Sequence, residues 1–394
     1  MNNILDNAGY TCSGCGACYA VCPVKAISLK INEYGFYSAV VNGDKCISCG
    51  LCKSVCARYD EVVNGNSLLN CDLYALKSAD NETVQKSSSG GIAGELARYG
   101  VNNGYGVTGV TYDLERNIAC HKTTIENVSI FRGSKYLQSD TSCFREAIKK
   151  KGYIFGTPCQ ISGLHKVLSN IGKRDDFILV EIFCHGIPSY KLWEEELKRI
   201  KSKLGSDQLD DLQFRFKKNN WHMYCIRAEK NGKVYHGERE KDLFWQIYFE
   251  DMLLSEACYK CRFRRELSFA DIRLGDYWGN KHSNDSEGVS AVFCLTNRGR
   301  KIVEELIHTG KVKEMEKTSN EEMLKYQNMQ GYTHDNLHRE TLELLKANDD
   351  FDKVVKYYYS RLPLKKKIKR ILIKTSGVIP GEIRYKVKKA IKQS

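Results

Sequence analysis

Beyond about residue 70 the apolar positions fall into alternating helical and strand patterns. They predict a strand over 73–77, a helix over 91–99, a strand over 105–112, a helix over 142–150 and a strand over 153–155. A helix over 161–168, a strand over 177–183 and a helix over 190–204 follow. Such alternation favours a mixed α/β layer architecture. Between 211 and 237, pairs such as Phe214 and Phe216 and the dipeptide Asn231-Gly232 predict antiparallel strands joined by a hairpin. Past Arg298 the pattern is mainly helical. The first sixty residues read differently, as a repeat of cysteine cluster, apolar strand and turn. The segment 61–85 is rich in Asn, Ser and Asp and separates the two patterns. The expected organisation is a small module over 1–62, a linker over 63–72, a larger mixed α/β domain over 73–310 and a helical extension with a basic tail over 311–394.

Composition narrows the class. With 394 residues, 42% hydrophobic and 28% charged, the chain is an ordinary globular protein except for its 17 cysteines. Their odd number argues against complete pairing. Residues 1–10 have neither a basic nor an apolar leader segment, so clustered cysteines in a reducing cytoplasm are expected to be metal ligands. No stretch approaches the apolar length of a membrane span. The formal charge of +13 is concentrated in residues 364–394, where eleven Lys or Arg face the single acid Glu382. A nucleic-acid groove across the body is therefore not expected.

Cys12, Cys15, Cys18 and Cys22 followed by Pro23 form C-x2-C-x2-C-x3-C-P, and Cys46, Cys49, Cys52 and Cys56 repeat the spacing. This is the bacterial ferredoxin run, in which the fourth cysteine of each repeat serves the other cluster. Two [4Fe-4S] clusters are expected, one on Cys12, Cys15, Cys18 and Cys56, the other on Cys46, Cys49, Cys52 and Cys22. The competing reading, structural zinc, uses pairs of C-x2-C instead. Ala57 stands where the run usually has a second proline.

Four later segments look like site loops: Lys86-Ser-Ser-Ser-Gly-Gly91, Gly156-Thr-Pro-Cys-Gln160, Phe183-Cys-His-Gly-Ile-Pro188, and Cys258-Tyr-Lys-Cys261 followed by Ala270-Asp-Ile-Arg-Leu-Gly-Asp-Tyr-Trp-Gly279. In this order they resemble the coenzyme F420 hydrogenase/dehydrogenase beta-subunit family, over roughly residues 73–310. The resemblance implies an iron-sulfur flavoprotein that exchanges hydride with a deazaflavin, ferredoxin or another acceptor. A flavin would link the single electrons of the clusters to two-electron chemistry.

The resemblance also points to individual residues. Cys159, Cys184, Cys258 and Cys261 become candidates for a third [4Fe-4S] cluster, against the alternative of buried small residues and a fortuitous pair. Ser88, Ser89, Gly90 and Gly91 before a helix suit the diphosphate of FAD, or an ordinary helix cap. Lys135, in Gly133-Ser-Lys-Tyr-Leu-Gln138, neutralises phosphate or the flavin N1 region, or is a solvated lysine. Thr157, Pro158 and Gln160 flank the candidate cluster ligand Cys159 as further cofactor contacts. His185 is a candidate proton relay, or a histidine satisfied structurally. Asp271, Asp276 and Trp278 line the cofactor wall or cap a strand. Gly104-Tyr-Gly-Val-Thr-Gly109 satisfies G-x-G-x-x-G but follows a helix and opens a strand, the reverse of the dinucleotide fingerprint.

The expected function is an oxidoreductase passing electrons between a redox partner protein or ferredoxin and a small-molecule acceptor, with coenzyme F420 as the leading substrate. Two rivals remain, a flavin-dependent reductase of an unrelated organic substrate and a non-catalytic electron relay. The basic segments 364–374 and 383–392 suggest a peripheral contact with the inner membrane surface, docking to an acidic partner, or a solvated tail.

Overall fold

In a computed structural model the described residues are 2–4, 12–56, 58–59, 65–218, 220–327, 329, 336–347 and 350–376. Ala57, the first two residues of the expected linker, 63 and 64, and the second basic segment, 383–392, lie outside them. The first module holds a short helix α1 (Ala17–Val21), the antiparallel pair β1 (Ile27–Ile31) and β2 (Tyr37–Val41), and a single-turn helix α2 (Leu51–Ser54). Residues 65–72 are packed in. There β3 (Asn66–Ser67) pairs with residues 267–268, and Leu68 is fully buried.

The second module is built on β4 (Asp72–Ser78), α3 (Asn81–Lys86), α4 (Ile92–Asn102), β5 (Gly106–Asp113) and β6 (Ile118–Thr124). It continues through α5 (Phe144–Ala147), β7 (Gly152–Gly156), α6 (Pro158–Asn170), β8 (Phe177–Ile182) and α7 (Tyr190–Leu204). The helix expected over 142–150 is only one turn long. The bridge between Cys120 and Asp140 holds the chain at the sheet edge, and β7 already begins at Gly152. Helix α6 starts three residues earlier than its apolar pattern suggested, because Pro158 occupies its first turn and Thr157 N donates to Gln160 Oε1 at 2.9 Å.

The expected hairpin is present as β9 (Asp211–Gln213), β10 (Cys225–Lys230) and β11 (Lys233–Glu238), with positive φ at both Asn231 and Gly232. After α8 (Leu243–Phe249), α9 (Glu256–Tyr259) and β12 (Leu267–Ser268), the chain returns to the main sheet as β13 (Ile272–Asp276) and β14 (Ser290–Cys294). It ends in α10 (Asn297–His308), β15 (Val312–Met315), α11 (Asn320–Lys325), α12 (Asn336–Ala347), α13 (Phe351–Arg361) and α14 (Leu364–Ser376). Strand β15 pairs with β4, so the sheet extends past residue 310.

The main sheet has eight strands in the order β15-β4-β14-β13-β8-β7-β5-β6, with β13, β8, β7 and β5 parallel at its centre. Both faces are covered. Along β8, Phe177 and Leu179 face the core beneath α6, whereas Ile178 and Val180 face the core beneath α4 and α10. The first module packs on the α6 side, where Cys15, Ala17 and Ala20 join the same core. A third core unites α7, α8, α12, α13 and the β9–β11 sheet with Phe36 and Tyr37 of the first module. Among the described residues no helix is long and apolar enough to cross a membrane.

Candidate functional site

The first cysteine loop is fastened to the second module by Gln138. This buried side chain donates to Ser13 O at 2.9 Å and accepts from Tyr37 N at 2.7 Å. Gly14 has φ +62°, and a Cβ there would stand 2.5 Å from Tyr37 O, so only glycine fits. Its N–H donates to Cys12 Sγ at 3.3 Å. Burial, with the charge of Cys56 next, pushes the Cys15 thiol up to about 12. The Cys18 thiol is raised by burial and then by Cys15, Cys12 and Cys56. Cys56, distant in sequence, is thus brought to Cys12, Cys15 and Cys18. The other four, Cys22, Cys46, Cys49 and Cys52, line one open cavity, and Ala26 N donates to Cys22 Sγ at 3.3 Å.

Cys159, Cys184, Cys258 and Cys261 come from three elements and converge. Cys159 lies in the first turn of α6, Cys184 follows β8, and Cys258 and Cys261 bracket the end of α9. Burial raises the Cys159 thiol, and Cys15, Cys261 and Cys184 add to it. Burial and then the charges of Cys184 and Cys261 push Cys258 to about 12. Burial raises Cys184 to about 11 against the lowering influence of Arg264. Four partly buried cysteines, whose thiolates would repel one another, make a donor set that a cationic iron-sulfur core would stabilise. Among the described residues, no three or more His, Cys, Asp and Glu side chains close around a single ion.

The first and third sets are neighbours across α6. Cys159 and Gly163 lie one turn apart on one face, and a Cβ at Gly163 would stand 3.2 Å from Cys15 Sγ. Two buried arginines attend the third set. Arg264 opposes part of the rise at Cys184, and Arg273 places Nε 3.1 Å from Glu181 Oε1 and its guanidinium 4.2 Å from the Phe183 ring centre. The pattern Arg262-x-Arg264-Arg265 directly after Cys258-x2-Cys261 was the available sequence signal for Arg264.

The serine-glycine loop lies between α3 and α4, at the same sheet edge as the C-terminal ends of β4, β8 and β13. Ser89 Oγ donates to Val289 O at 2.8 Å, and Gly90 N donates to Ser290 Oγ at 3.0 Å. A Cβ on Gly90 would stand 2.5 Å from Leu76 O, so this glycine is required for packing on the sheet. Ser88 Oγ accepts from Ser134 N at 2.9 Å, which brings the 133–138 segment alongside. Two half-buried lysines flank the loop. Lys135 donates to Arg132 O at 2.8 Å, and Lys217 donates to Ser89 O at 2.8 Å. Burial pushes each ammonium down to about 7. Such desolvated cations beside hydroxyls suit an anion.

Lys217 was not singled out from sequence, and neither was its neighbour Arg215. Arg215 Nη1 lies 2.5 Å from Asp276 Oδ2 and packs near Trp278, whose ring stacks on Trp221 at 5.1 Å. Asp276 and Trp278 therefore belong to a wall next to the serine loop. Asp271 does not. It is fully buried and accepts from Leu179 N, Arg174, Thr296 and Arg298, tying strands and helix α10 together. His185 Nε2 stands 2.7 Å from Asp251 Oδ1, a side-chain partner. Thr157, Pro158 and Gln160 form the start of α6, where Gln160 also donates to Ser139 Oγ at 3.0 Å. Gly104 ends a helix with φ +74°, and β5 follows.

Residues 149–320 match the family model for the C-terminal part of the coenzyme F420 hydrogenase/dehydrogenase beta chain, and residues 11–58 match a 4Fe-4S dicluster domain. The segment 149–320 is thus similar to the C-terminal part of that beta-subunit family. The chain is 26% identical over 308 residues to the F component of the F(420)H(2) dehydrogenase of Methanosarcina mazei, covering 74% of this chain and 80% of the relative. It is 26% identical over 249 residues to the coenzyme F420 hydrogenase subunit beta of Methanococcus voltae, covering 59% and 80%. Identity to the coenzyme F420-dependent sulfite reductase of Methanocaldococcus jannaschii is 23% over 322 residues, covering 77% of this chain and 46% of that protein. A chain in the structure of the F420-reducing [NiFe] hydrogenase complex from Methanosarcina barkeri superposes with a TM-score of 0.45 at 18% identity, over 75% of this chain and 94% of that one. The chain is thus an iron-sulfur electron-transfer oxidoreductase with an N-terminal dicluster module.

Proposed function

We propose that this protein is an iron-sulfur flavoprotein that moves electrons between its N-terminal clusters and a two-electron acceptor, with coenzyme F420 the leading candidate. The observation that carries the reading is the convergence at one sheet edge of a four-cysteine set, adjacent to Cys15, and a serine loop flanked by Lys135 and Lys217. Cys159, Cys184, Cys258 and Cys261 would hold a third [4Fe-4S] cluster. Ser88, Ser89, Lys135 and Lys217 would hold the diphosphate of FAD, and the Trp278–Trp221 stack would wall its ring. A flavin there supplies the conversion between single electrons and hydride. Arg215 fixes Asp276 and the wall, and α6 keeps Cys159 beside Cys15.

The names of the relatives favour coenzyme F420 as the acceptor. The test is anaerobic purification followed by flavin extraction and assay of reduced coenzyme F420 oxidation. Bound flavin with turnover supports the reading. Bound flavin without turnover assigns the chain to another organic substrate, and no flavin at any loading makes it an electron relay.

The tail belongs to the same proposal as a peripheral lipid contact. Leu364, Ile368, Ile371 and Leu372 recur on one helical face of α14 and are all at least half exposed, among lysines and without an acid.

A further inference from the structure

We propose that the face of the first module around Cys46 and Cys49 is the docking surface for a small acidic one-electron carrier protein. The inference rests on the dicluster module alone, so it stands or falls separately from the flavin reading.

The two N-terminal cysteine sets are oriented differently. Cys15, Cys18 and Cys56 are buried, and Cys15 lies against α6 and near Cys159, so the first set faces the interior. Cys49 is exposed, and the cavity it lines with Cys22 and Cys46 opens to the surface. A cluster held there is the one within reach of a second protein.

The rim of that cavity is apolar. Val24, Ile47 and Leu51 line it together with the cysteines and are all exposed, Ile47 at 62%. Three apolar side chains gathered at one cysteine-lined mouth are the kind of patch that marks a binding surface. Its surroundings are basic. Lys25 follows Val24, Lys45 lies two residues before Ile47, and Lys53 lies two residues after Leu51. The segments 23–30 and 44–53 contain these three, Lys30 and a single acid, Asp44. Among the described residues, Lys25, Lys45 and Lys53 make no ion pair; Lys25 feels Glu146 weakly, and Lys53 sits 5.7 Å from the Tyr59 ring centre.

An apolar centre within a basic ring fits a partner whose redox centre is ringed by carboxylates. Complementary charge steers encounter and orients the two centres, while the small apolar contact lets the complex separate after transfer. A second copy of this chain is disfavoured, because the same basic ring would face itself. Cys22, Cys46, Cys49 and Cys52 would hold the cluster that takes up one electron from the carrier's reduced centre, the carrier being oxidised and the cluster reduced. No bond or proton moves, and the direction reverses with the potentials.

The test uses the anaerobic holoprotein and a small ferredoxin of net negative charge. Binding is measured by titration calorimetry and electron transfer by stopped flow, both across ionic strength. The triple variant Lys25→Glu, Lys45→Glu, Lys53→Glu should bind at least about tenfold more weakly and lose its salt dependence. Ile47→Asp should weaken binding at all salt concentrations. Reduction by dithionite and iron content should stay unchanged in both, which excludes misfolding. Charge reversal at the remote, exposed Lys301, Lys311 and Lys313 is the control. Equal weakening by that control, undiminished binding of the triple variant, or equally fast exchange with a basic carrier would overturn the proposal. So would sedimentation showing that this face buries itself in a dimer.

Discussion

The cysteines of the first module and those of the second would meet one requirement, four sulfur donors for a cluster, by opposite routes. In the first module three donors would come from one tight loop with Gly14 and Gly16 at positive φ, and the fourth from the neighbouring repeat. In the second, the proposed donors come from the start of α6, the residues after β8, the end of α9 and the turn that follows it, so the set exists only when the sheet is assembled. The surroundings differ as well. The second N-terminal set opens to solvent at the exposed Cys49, whereas the third is partly buried and flanked by the buried Arg264 and Arg273. Local loops suit exchange with a partner at the surface. A site assembled from separate elements can be closed to water and placed against an organic cofactor.

The sharpest break between the two regions is Cys258→Ser. With three four-cysteine sets the anaerobic protein should carry about twelve irons, and the variant should lose about a third of them while the ferredoxin-type signals remain. An iron content near eight in both proteins would remove the third cluster and leave the first two untouched.

The flavin contacts provide the next test. Burial lowers Lys135 and Lys217 to about 7 in the absence of an anion. A bound diphosphate would raise them again, so binding takes up protons above that pH. Flavin affinity of the deflavinated protein should therefore be highest below about pH 7 and fall as pH rises. Lys217→Met should weaken binding about tenfold or more near neutrality, as expected for loss of a charged hydrogen bond, and flatten part of the pH profile. Lys217→Arg, which stays charged, should flatten the profile while retaining binding. A wild-type affinity independent of pH between 6 and 9 would take both lysines out of the site.

A smaller effect separates the environments of the clusters. A positive charge beside a cluster favours its more negative, reduced form. Arg264→Gln should therefore move the third cluster to a more negative potential in an electron paramagnetic resonance titration and leave the N-terminal potentials in place. Equal movement of all three would mean a general loss of structure.

The contrast between regions also explains what could be read in advance. The first module was legible because its donors obey a spacing within one loop, and the dicluster match covers that same segment. Strands β5, β7 and β8 at the centre of the sheet were legible as strand patterns alternating with helical ones, whereas their parallel pairing and the return of β13 between β14 and β8 were not. Arg215 and Lys217 were not, since they sit in an irregular segment after β9 and reach the serine loop only through the tertiary fold. The packing role of Gly90 was not legible either, because only the assembled sheet shows that this glycine lets the loop lie on β4 and β14. Likewise, β15 was hidden in a region of helical pattern, because four residues at a sheet edge carry little periodic signal.

The smallest effect expected on either redox region is that of removing the tail. Truncation after Pro363 is the informative cut, because Leu362 is buried in the core with α13, whereas Leu364 is 73% exposed. Helix α14 does touch the body. Arg370 stacks on Tyr359 and lies 3.8 Å from Glu250, and Lys367 donates to Ser360 O at 2.7 Å. These are contacts at the rim, worth little in water, so iron content, flavin content and the potentials should be unchanged. What should change is behaviour at a lipid surface. The apolar face of α14 gains by entering the headgroup region, and each neighbouring Lys or Arg adds about 1 kcal/mol on an anionic surface. Full-length protein should float with vesicles containing phosphatidylglycerol at low salt and not with pure phosphatidylcholine vesicles. The truncated form should float with neither. Ile368→Asp with Ile371→Asp should reproduce the truncation, since it leaves the lysines in place and removes only the apolar face. If this double variant still floats, charge alone carries the contact. If full-length and truncated forms behave alike, the lipid reading of α14 fails while both redox regions stand as described.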